Sequence, residues 1–128
     1  MFTADQIVAH LVGDYLLQSE WMATRKTRQS AATLFHCVFY LIPFLFITQN
    51  PYTLAVIGGT HFVLDRWNLA RHFVWLKNWP WPDSPSWQNR TQSGFPPETP
   101  AWLAGWLLIV VDNTLHIVIN GLAIHFIG

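Results

Sequence analysis

The chain has 128 residues, of which 52% are hydrophobic and only 11% are Asp, Glu, Lys or Arg. Soluble domains usually carry about 25% charged residues, and a soluble core of this size is too small for 8 tryptophans and 9 phenylalanines. The formal net charge of +0 excludes an electrostatic footprint for nucleic acid. The single cysteine, Cys37, excludes an intrachain disulfide. The composition therefore predicts one domain, residues 1–128, that lies in a lipid bilayer.

We predict an all-α fold, an integral membrane bundle of about four transmembrane helices, because roughly 20 mostly apolar residues cross a bilayer. The first helix, at about residues 3–23, carries Asp5, His10 and Asp14 among its apolar residues. It either spans the membrane or lies half-buried against the other helices. Since no basic region precedes its apolar part, we expect no cleaved signal peptide.

Residues 29–64 contain no charged side chain, but the polar residues 48–50 and the proline after them divide this stretch. We therefore predict two helices, at about 31–48 and 52–77, with a kink at Pro43 in the former.

A fourth helix is predicted at about 101–127, where Asp112 is the only formal charge. The preceding residues 78–100 contain six prolines and three tryptophans, and this density of proline rules out a continuous helix. Since Trp prefers the membrane–water interface, we interpret residues 78–100 as an interfacial loop. The loop is either a connector or a lid that faces a substrate.

The basic residues fall in two regions, one between the first two helices and one that starts at the end of the third helix. They are Arg25, Lys26 and Arg28, and then Arg66, Arg71, Lys77 and Arg90. The short connection between the second and third helices has none. The positive-inside rule places both basic regions in the cytoplasm.

Histidines and aspartates recur at one spacing along the chain. Three pairs lie four residues apart, and one more histidine lies in the second helix: His10/Asp14, His61/Asp65, Asp112/His116 and His36. Residues four apart share a helix face, so each pair can aim two side chains at one point. Given the alternating helix directions, all three pairs place the aspartate nearer the cytoplasm. The groups can therefore converge in one layer.

Three carboxylates within spans need a counter-charge, because each costs about 2.5–3.5 kcal/mol at the bilayer centre. No Lys or Arg is expected at their depth, so protons or metal ions must neutralise them. His and Asp form a usual ligand set for Zn²⁺, and two divalent ions with one bridging hydroxide would balance three carboxylates. We predict one or two divalent ions, zinc by preference, and leave open a polar network without metal. The predicted ligands are His10, Asp14, His36, His61, Asp65, Asp112 and His116.

Further polar residues lie beside these faces. Gln18, Asn68, His72 and Asn113 either support the ligands and bind substrate or are ordinary interfacial residues. Gly13 and the pair Gly58-Gly59 would let another helix approach closely.

The run from His10 to Gln18 (HLVGDYLLQ), followed by WMA and RK, resembles the N-terminal signature of a family of small bacterial and phage membrane proteins of unknown function. His36 and the later His/Asp pairs are also similar to that family's motifs. The resemblance covers nearly the whole chain and implies a bacterial inner membrane, or a host membrane for a phage protein, with the basic loops cytoplasmic. The HxxGD motif with its later Gln is similar to part of the signature of zinc-dependent phospholipase C and single-strand nucleases, which implies zinc ligation by His10 and Asp14 and favours phosphoester chemistry.

Three functions fit these observations. The first is a membrane-embedded, metal-dependent hydrolase in which Asp14, Asp65 or Asp112 bridges metals or acts as general base. Its substrate would be amphiphilic, such as a phospholipid or polyprenyl phosphate. The second is a non-catalytic membrane accessory protein whose metal or polar cluster fixes helix packing. The third is a transporter of protons or metal ions, in which oligomerisation would compensate for the few spans.

Overall fold

The computed structural model describes residues 2–90 and 92–128, and within these residues it contains six α-helices and no strand. The all-α class predicted from the sequence is confirmed. The helices are α1 (Ala4–Leu11), α2 (Glu20–Arg25), α3 (Ser30–Phe44), α4 (Pro51–Arg66), α5 (Leu69–Asn78) and α6 (Ala101–Phe126), with a π-helical turn at Val12–Leu16.

The chain divides into two compact units. The first unit comprises the chain up to Trp67 together with His116–Gly128, and the second comprises Asn68–Leu115. Helix α6 begins in the second unit and ends in the first.

The segment predicted as one helix over 3–23 is divided into three pieces. Thr3 caps helix α1, because its side chain accepts a hydrogen bond from the backbone N–H of Gln6. Helix α1 then passes into the π-helical turn. The turn is closed by a hydrogen bond from Leu17 N to Val12 O (3.0 Å). Ser19 then caps a new helix, α2, by accepting from Met22 N. Ser is a preferred N-cap residue, and here its capping starts a new helix inside an apolar pattern.

The predicted helix over 52–77 is divided as well. Asn50 caps α4 by accepting from the N–H groups of Tyr52 and Thr53, with Pro51 in the first turn. Helix α4 ends at Arg66 because Asn68 adopts a left-handed conformation, with φ 47° and ψ 54°. Asn is one of the few residues that enters this region readily, and α5 begins directly after it.

Only α6, among the described residues, is long and apolar enough to cross a membrane. The four-span arrangement predicted from composition is therefore not confirmed. The other predicted spans are shortened by the breaks at Ser19 and Asn68 and by the end of α3 at Phe44, one residue after Pro43. Helix α3 is apolar but has only 15 residues.

The core of the first unit is small and lies between α3, α4 and their neighbours. Tyr40, Phe44 and Ile57 are fully buried there, together with Ala9 and Ala123. The π-helical turn packs against α3. At Gly13 a Cβ atom would lie 2.9 Å from the backbone oxygen of Tyr40, so the close approach that this glycine predicts does occur.

The second unit is formed by α5, the proline-rich loop and the first half of α6. Val74 and Phe95 are buried with Ala104. The loop is held to α5 by a hydrogen bond from Trp75 Nε1 to Pro85 O (2.9 Å).

We predict that Gly13→Ala lowers the free energy of unfolding by about 1–3 kcal/mol, because the added methyl group overpacks the contact with the Tyr40 backbone. Gly59→Ala is the matched control, since no atom of the described residues outside its own stretch of helix lies within 4 Å of a Cβ at that position. The close approach expected at Gly59 is therefore wrong. This substitution should be neutral or stabilise the protein by up to about 1 kcal/mol through helix propensity. Thermal unfolding of both detergent-purified variants measures the difference, and equal unfolding curves would contradict the packing argument.

Candidate metal centre

The first unit gathers polar side chains from most of its helices into one buried cluster. Asp14 comes from the π-helical turn, His36 from α3, His61 and Asp65 from α4, and His116 from α6. All five are buried. The π-helical turn is a rare conformation that occurs frequently at functional sites, and here it carries Asp14.

Four of these side chains converge most closely. One ligand atom each from Asp14, His36, His61 and Asp65 lies within 4.8 Å of the other three. His36 Nε2 lies 3.1 Å from Asp14 Oδ1, 3.2 Å from Asp65 Oδ2 and 2.9 Å from His61 Nε2. His61 Nε2 in turn lies 3.2 Å from Asp65 Oδ2.

This geometry leaves hydrogen-bonding capacity unused at the centre. A neutral His36 has at most one hydrogen on Nε2, and three acceptor atoms lie within 3.2 Å of that nitrogen. Its Nδ1 is buried and has no hydrogen-bond partner among the residues that the structure describes. The polar contacts of the ring are thus concentrated on Nε2, which can donate its one hydrogen to only one of these neighbours. A cation among the four ligand atoms would be coordinated by all of them at once.

His116 lies beside this centre and is hydrogen-bonded to the Nδ1 atom of His61. The two Nδ1 atoms are 3.1 Å apart, so one of them donates to the other. With the proton on His61 Nδ1, the lone pair of His61 Nε2 points into the centre. His116 Nε2 lies 3.4 Å from Asp65 Oδ1. Metal-bound histidines usually donate their second N–H in this way, which fixes the ring and its tautomer. The donor set therefore fits a divalent metal ion.

Tyr40 supports the cluster from the core side and was not evident from the sequence. Its ring stacks on His61, with centroids 3.6 Å apart and an angle of 14°. Its hydroxyl lies 2.8 Å from His10 Nδ1 and accepts a hydrogen bond from Asn120 Nδ2 at 2.6 Å. His10 is therefore tied to Tyr40, and its Nε2 lies 4.0 Å from Asp14 Oδ2.

Lys26 enters the cluster from the C-terminal end of α2. Its Nζ lies 2.9 Å from Asp65 Oδ2 and 3.7 Å from Asp14 Oδ1. The expectation that no Lys or Arg reaches these carboxylates is therefore wrong. Sequence reasoning treats Lys26 as part of a loop outside the bilayer, and it is the fold of α2 against α3 that turns its side chain inward.

The remaining predicted site residues are Asp112, Gln18, Asn113, Asn68 and His72. Asp112 lies one turn before His116 on α6 and is assigned to the second unit. Gln18 follows the π-helical turn, and its buried Oε1 has no hydrogen-bond partner within residues 2–90 and 92–128. Asn113 donates to Ile109 O of its own helix at 2.7 Å.

Asn68 and His72 belong to the second unit, where Asn68 forms the left-handed turn before α5. The His72 ring stacks on Trp87 with centroids 5.0 Å apart. Burial and the neighbouring Arg71 and Arg90 lower the pKa of His72. The sequence places both residues on the face of His61 and Asp65, but this face is interrupted where α4 ends.

The fold and the cluster define an all-α protein with a buried group of histidines and aspartates that could hold a metal ion. The chain belongs to the family described as protein of unknown function (DUF3307), whose model matches residues 2–127. This match confirms the resemblance to an uncharacterised family that the motifs indicate. No curated protein and no solved structure matches the chain.

We predict that Tyr40→Phe lowers the free energy of unfolding by about 1–3 kcal/mol, because His10 and Asn120 lose a buried hydrogen-bond partner. The ring stack on His61 is kept, so metal stoichiometry should not change. Tyr52→Phe is the control, since Tyr52 is 75% exposed. Chemical unfolding and metal analysis of both variants test this, and loss of metal from Tyr40→Phe would show that the hydroxyl does more than support the helices.

Proposed function

We propose that this protein is an integral membrane protein that binds one zinc ion through His36, His61 and Asp65, with Asp14 beside it, and uses it to hydrolyse a phosphoester of an amphiphilic substrate. The observation that carries the proposal is the convergence of four ligand atoms, all within 4.8 Å of one another, from the π-helical turn, α3 and α4. Two imidazoles and two carboxylates are a set that suits Zn²⁺.

The distribution of polarity supports a place in the membrane. Polar side chains are fully buried, among them His10, His36 and His61. Large apolar side chains are exposed on the outside of the same helices. They include Leu34, Phe35 and Val38 on α3 and Trp106, Val110 and Phe126 on α6. Exposed apolar surface of this extent needs a lipid or protein partner. Most residues in the apolar part of α6 are not buried.

The charges of the cluster also fit one bound divalent ion. Asp14 and Asp65 supply two negative charges and Lys26 supplies one positive charge. One divalent cation with one hydroxide brings this group to neutrality when the histidines are neutral. Buried charges must be paired to be tolerated, so the balance favours one ion with a bound hydroxide.

Each residue of the cluster would have its own part in the proposed hydrolysis. A bound zinc ion lowers the pKa of a coordinated water and polarises a phosphoryl oxygen. His61, oriented by His116 and stacked on Tyr40, would hold its ligand atom in place. His36, His61 and Asp65 as ligands would leave one coordination position for water. Asp14 is then the proposed general base, because Asp65 already lies within 3.4 Å of His36, His61 and His116.

A second candidate is a structural metal centre in a non-catalytic membrane module. The observation that favours it is burial, since His36 and His61 are 0% exposed and Asp14 and Asp65 are each 4% exposed. A substrate reaches such a site only if Lys26 or a neighbouring segment moves. The two candidates share the metal and differ in hydrolysis.

Elemental mass spectrometry of detergent-purified protein tests the metal site. We expect about one equivalent of zinc in the wild type, loss of zinc in His61→Gln and Asp65→Asn, and no change in His125→Gln. His125 is the control because it is exposed and contacts Phe126. His116→Gln should weaken zinc binding by about 10–100-fold without abolishing it, as expected for a residue that orients a ligand. Folded wild type without zinc after reconstitution would overturn the proposal.

Hydrolysis separates the two candidates. Zinc-loaded protein should release nitrophenolate from nitrophenyl phosphoesters, and this activity should disappear on chelation and in Asp14→Asn. A protein that keeps zinc but shows no chelator-sensitive hydrolysis would support the structural candidate.

Membrane integration is tested by washing membranes from expressing cells with alkaline carbonate. We expect the wild type to stay in the membrane fraction. Val110→Lys should reduce the retained fraction, because a charge on a lipid-facing position costs up to about 3 kcal/mol, and Val110→Leu should not. Val110 is chosen because it is 57% exposed on α6. Release of the wild type by the wash would refute an integral membrane protein.

A further inference from the structure

The second unit contains a group of basic side chains, on α5 and in the loop after it, that gather around the ring of Trp87. The His72 ring stacks on Trp87 with centroids 5.0 Å apart and an angle of 26°. The guanidinium carbon of Arg90 lies 3.3 Å from the centroid of the same indole, and Arg90 Nη1 donates to the Trp87 carbonyl oxygen. Trp87 therefore brings His72 and Arg90 together, and Arg71 precedes His72 on α5.

The positive charges in this group repel one another. Burial and the charge of Arg71 lower the pKa of Arg90. Burial, Arg71 and Arg90 together lower the pKa of His72. Like charges shift one another's pKa in this way when they lie close together. Because arginine keeps its proton in proteins, the two guanidinium groups cannot relieve the repulsion by losing a proton. An anion bound by both of them would relieve it.

No carboxylate of the chain balances these charges. The acidic residues of the second unit are Asp83, Glu98 and Asp112. Among residues 2–90 and 92–128, neither Arg71 nor Arg90 has a carboxylate oxygen within 4.0 Å of a guanidinium nitrogen. Positions 1 and 91 are Met and Thr, whose side chains carry no carboxylate. The counter-charge for this group therefore comes from outside the chain.

Three nitrogen atoms of the group are buried without a hydrogen-bond partner in the part of the chain that the structure describes. They are Arg71 Nε, His72 Nδ1 and Arg90 Nε. A buried donor without an acceptor costs free energy, because it has lost its hydrogen bonds to water. The planar guanidinium group matches the geometry of a phosphate and binds it through two N–H groups at once. Since phosphate oxygens are strong acceptors, one phosphate group can accept from both arginines and from His72.

The surroundings of the group favour a lipid as the source of the phosphate. Large apolar and aromatic side chains of the same stretch, residues 71–90, are between 44% and 69% exposed. They are Phe73, Leu76, Trp79, Trp81 and Trp87. Tryptophan prefers the level of the lipid headgroups, and basic side chains at that level attract anionic lipids. The unpaired arginines and the exposed aromatic rings therefore lie in one short stretch of chain.

We infer that Arg71, His72 and Arg90 bind the phosphate group of an anionic phospholipid at the membrane surface. The inference rests on the membrane placement in the proposed function and requires no metal ion. Arg90, held against Trp87, would contact the phosphate together with Arg71, and the exposed tryptophans would lie among the headgroups. A zwitterionic lipid carries its own cation beside its phosphate. The site should therefore prefer phosphatidylglycerol to phosphatidylcholine.

The experiment titrates chelator-treated, detergent-purified protein with short-chain phosphatidylglycerol or phosphatidylcholine in matched micelles and measures binding by calorimetry. The wild type should bind phosphatidylglycerol about tenfold or more tightly, as expected for one additional charge-assisted contact. Arg71→Gln and Arg90→Gln should each lose this preference, and Arg71→Lys should keep part of it. Lys77→Gln should bind like the wild type. It is the control because it removes a positive charge from the same helix, at a side chain that lies over the ring of Phe95.

Thermal unfolding separates lipid binding from a structural role of Arg71. In detergent without anionic lipid, Arg71→Gln should unfold at the temperature of the wild type or above it, because the substitution removes a repulsion and breaks no ion pair. Phosphatidylglycerol should raise the unfolding temperature of the wild type but not that of Arg71→Gln. A lower unfolding temperature of this variant without lipid would show that Arg71 supports the fold, which contradicts the inference.

Inorganic phosphate in the same titration distinguishes the source of the phosphate group. Weaker binding than that of phosphatidylglycerol supports the lipid, whereas equally tight binding would assign a soluble phosphate and overturn the lipid. Equal affinity of the wild type for the two phospholipids would overturn the site and leave the metal centre and the membrane placement standing. Release of the wild type by the carbonate wash would instead overturn the membrane placement and, with it, the lipid assignment.

Discussion

The structure depends on the burial of two carboxylates, Asp14 and Asp65, in an otherwise apolar chain. A buried carboxylate is tolerated only when it is paired and hydrogen-bonded. Most elements of the first unit supply a partner for them, including His36 from α3, His116 from α6 and Lys26 from α2. Because removal of one partner would leave a charge uncompensated, the helices must pack in the arrangement that brings these side chains together. The polar centre therefore specifies the packing of the first unit more strictly than its small apolar core does.

The same centre explains why the outside of the first unit is apolar. Polar groups are used inside, where they satisfy one another, and Leu, Phe and Val side chains face outward on α3 and α6. In the proposed bilayer setting, exclusion of water alone cannot hold these helices together, since their surroundings are as apolar as their interfaces. Close contact and interhelical hydrogen bonds replace that driving force. Gly13 permits the former, and the hydrogen bond from Asn120 to Tyr40 provides the latter.

The cluster also has a defined direction. Its inner side is closed by Tyr40, which stacks on His61 and hydrogen-bonds with Asn120. Its outer side ends at Lys26, the member with the greatest exposure among those that contact the two carboxylates. A rigid inner side and one flexible cation at the outer side are expected of a site whose ligand atoms stay fixed while the group at its opening can change.

The sequence by itself determined the all-α class and the shared face of His61 and Asp65, because residues four apart on a helix lie on one face whatever the helix packs against. It did not determine where helices end inside apolar stretches. Ser19 capped a new helix and Asn68 took a left-handed conformation, and both outcomes depend on neighbouring contacts rather than on periodicity. It also gave no reason to single out Tyr40, since an aromatic residue in an apolar helix looks like core. The inward reach of Lys26 was decided only by the tertiary structure, because a long flexible side chain follows the nearest buried charge, and the location of that charge is set by the fold.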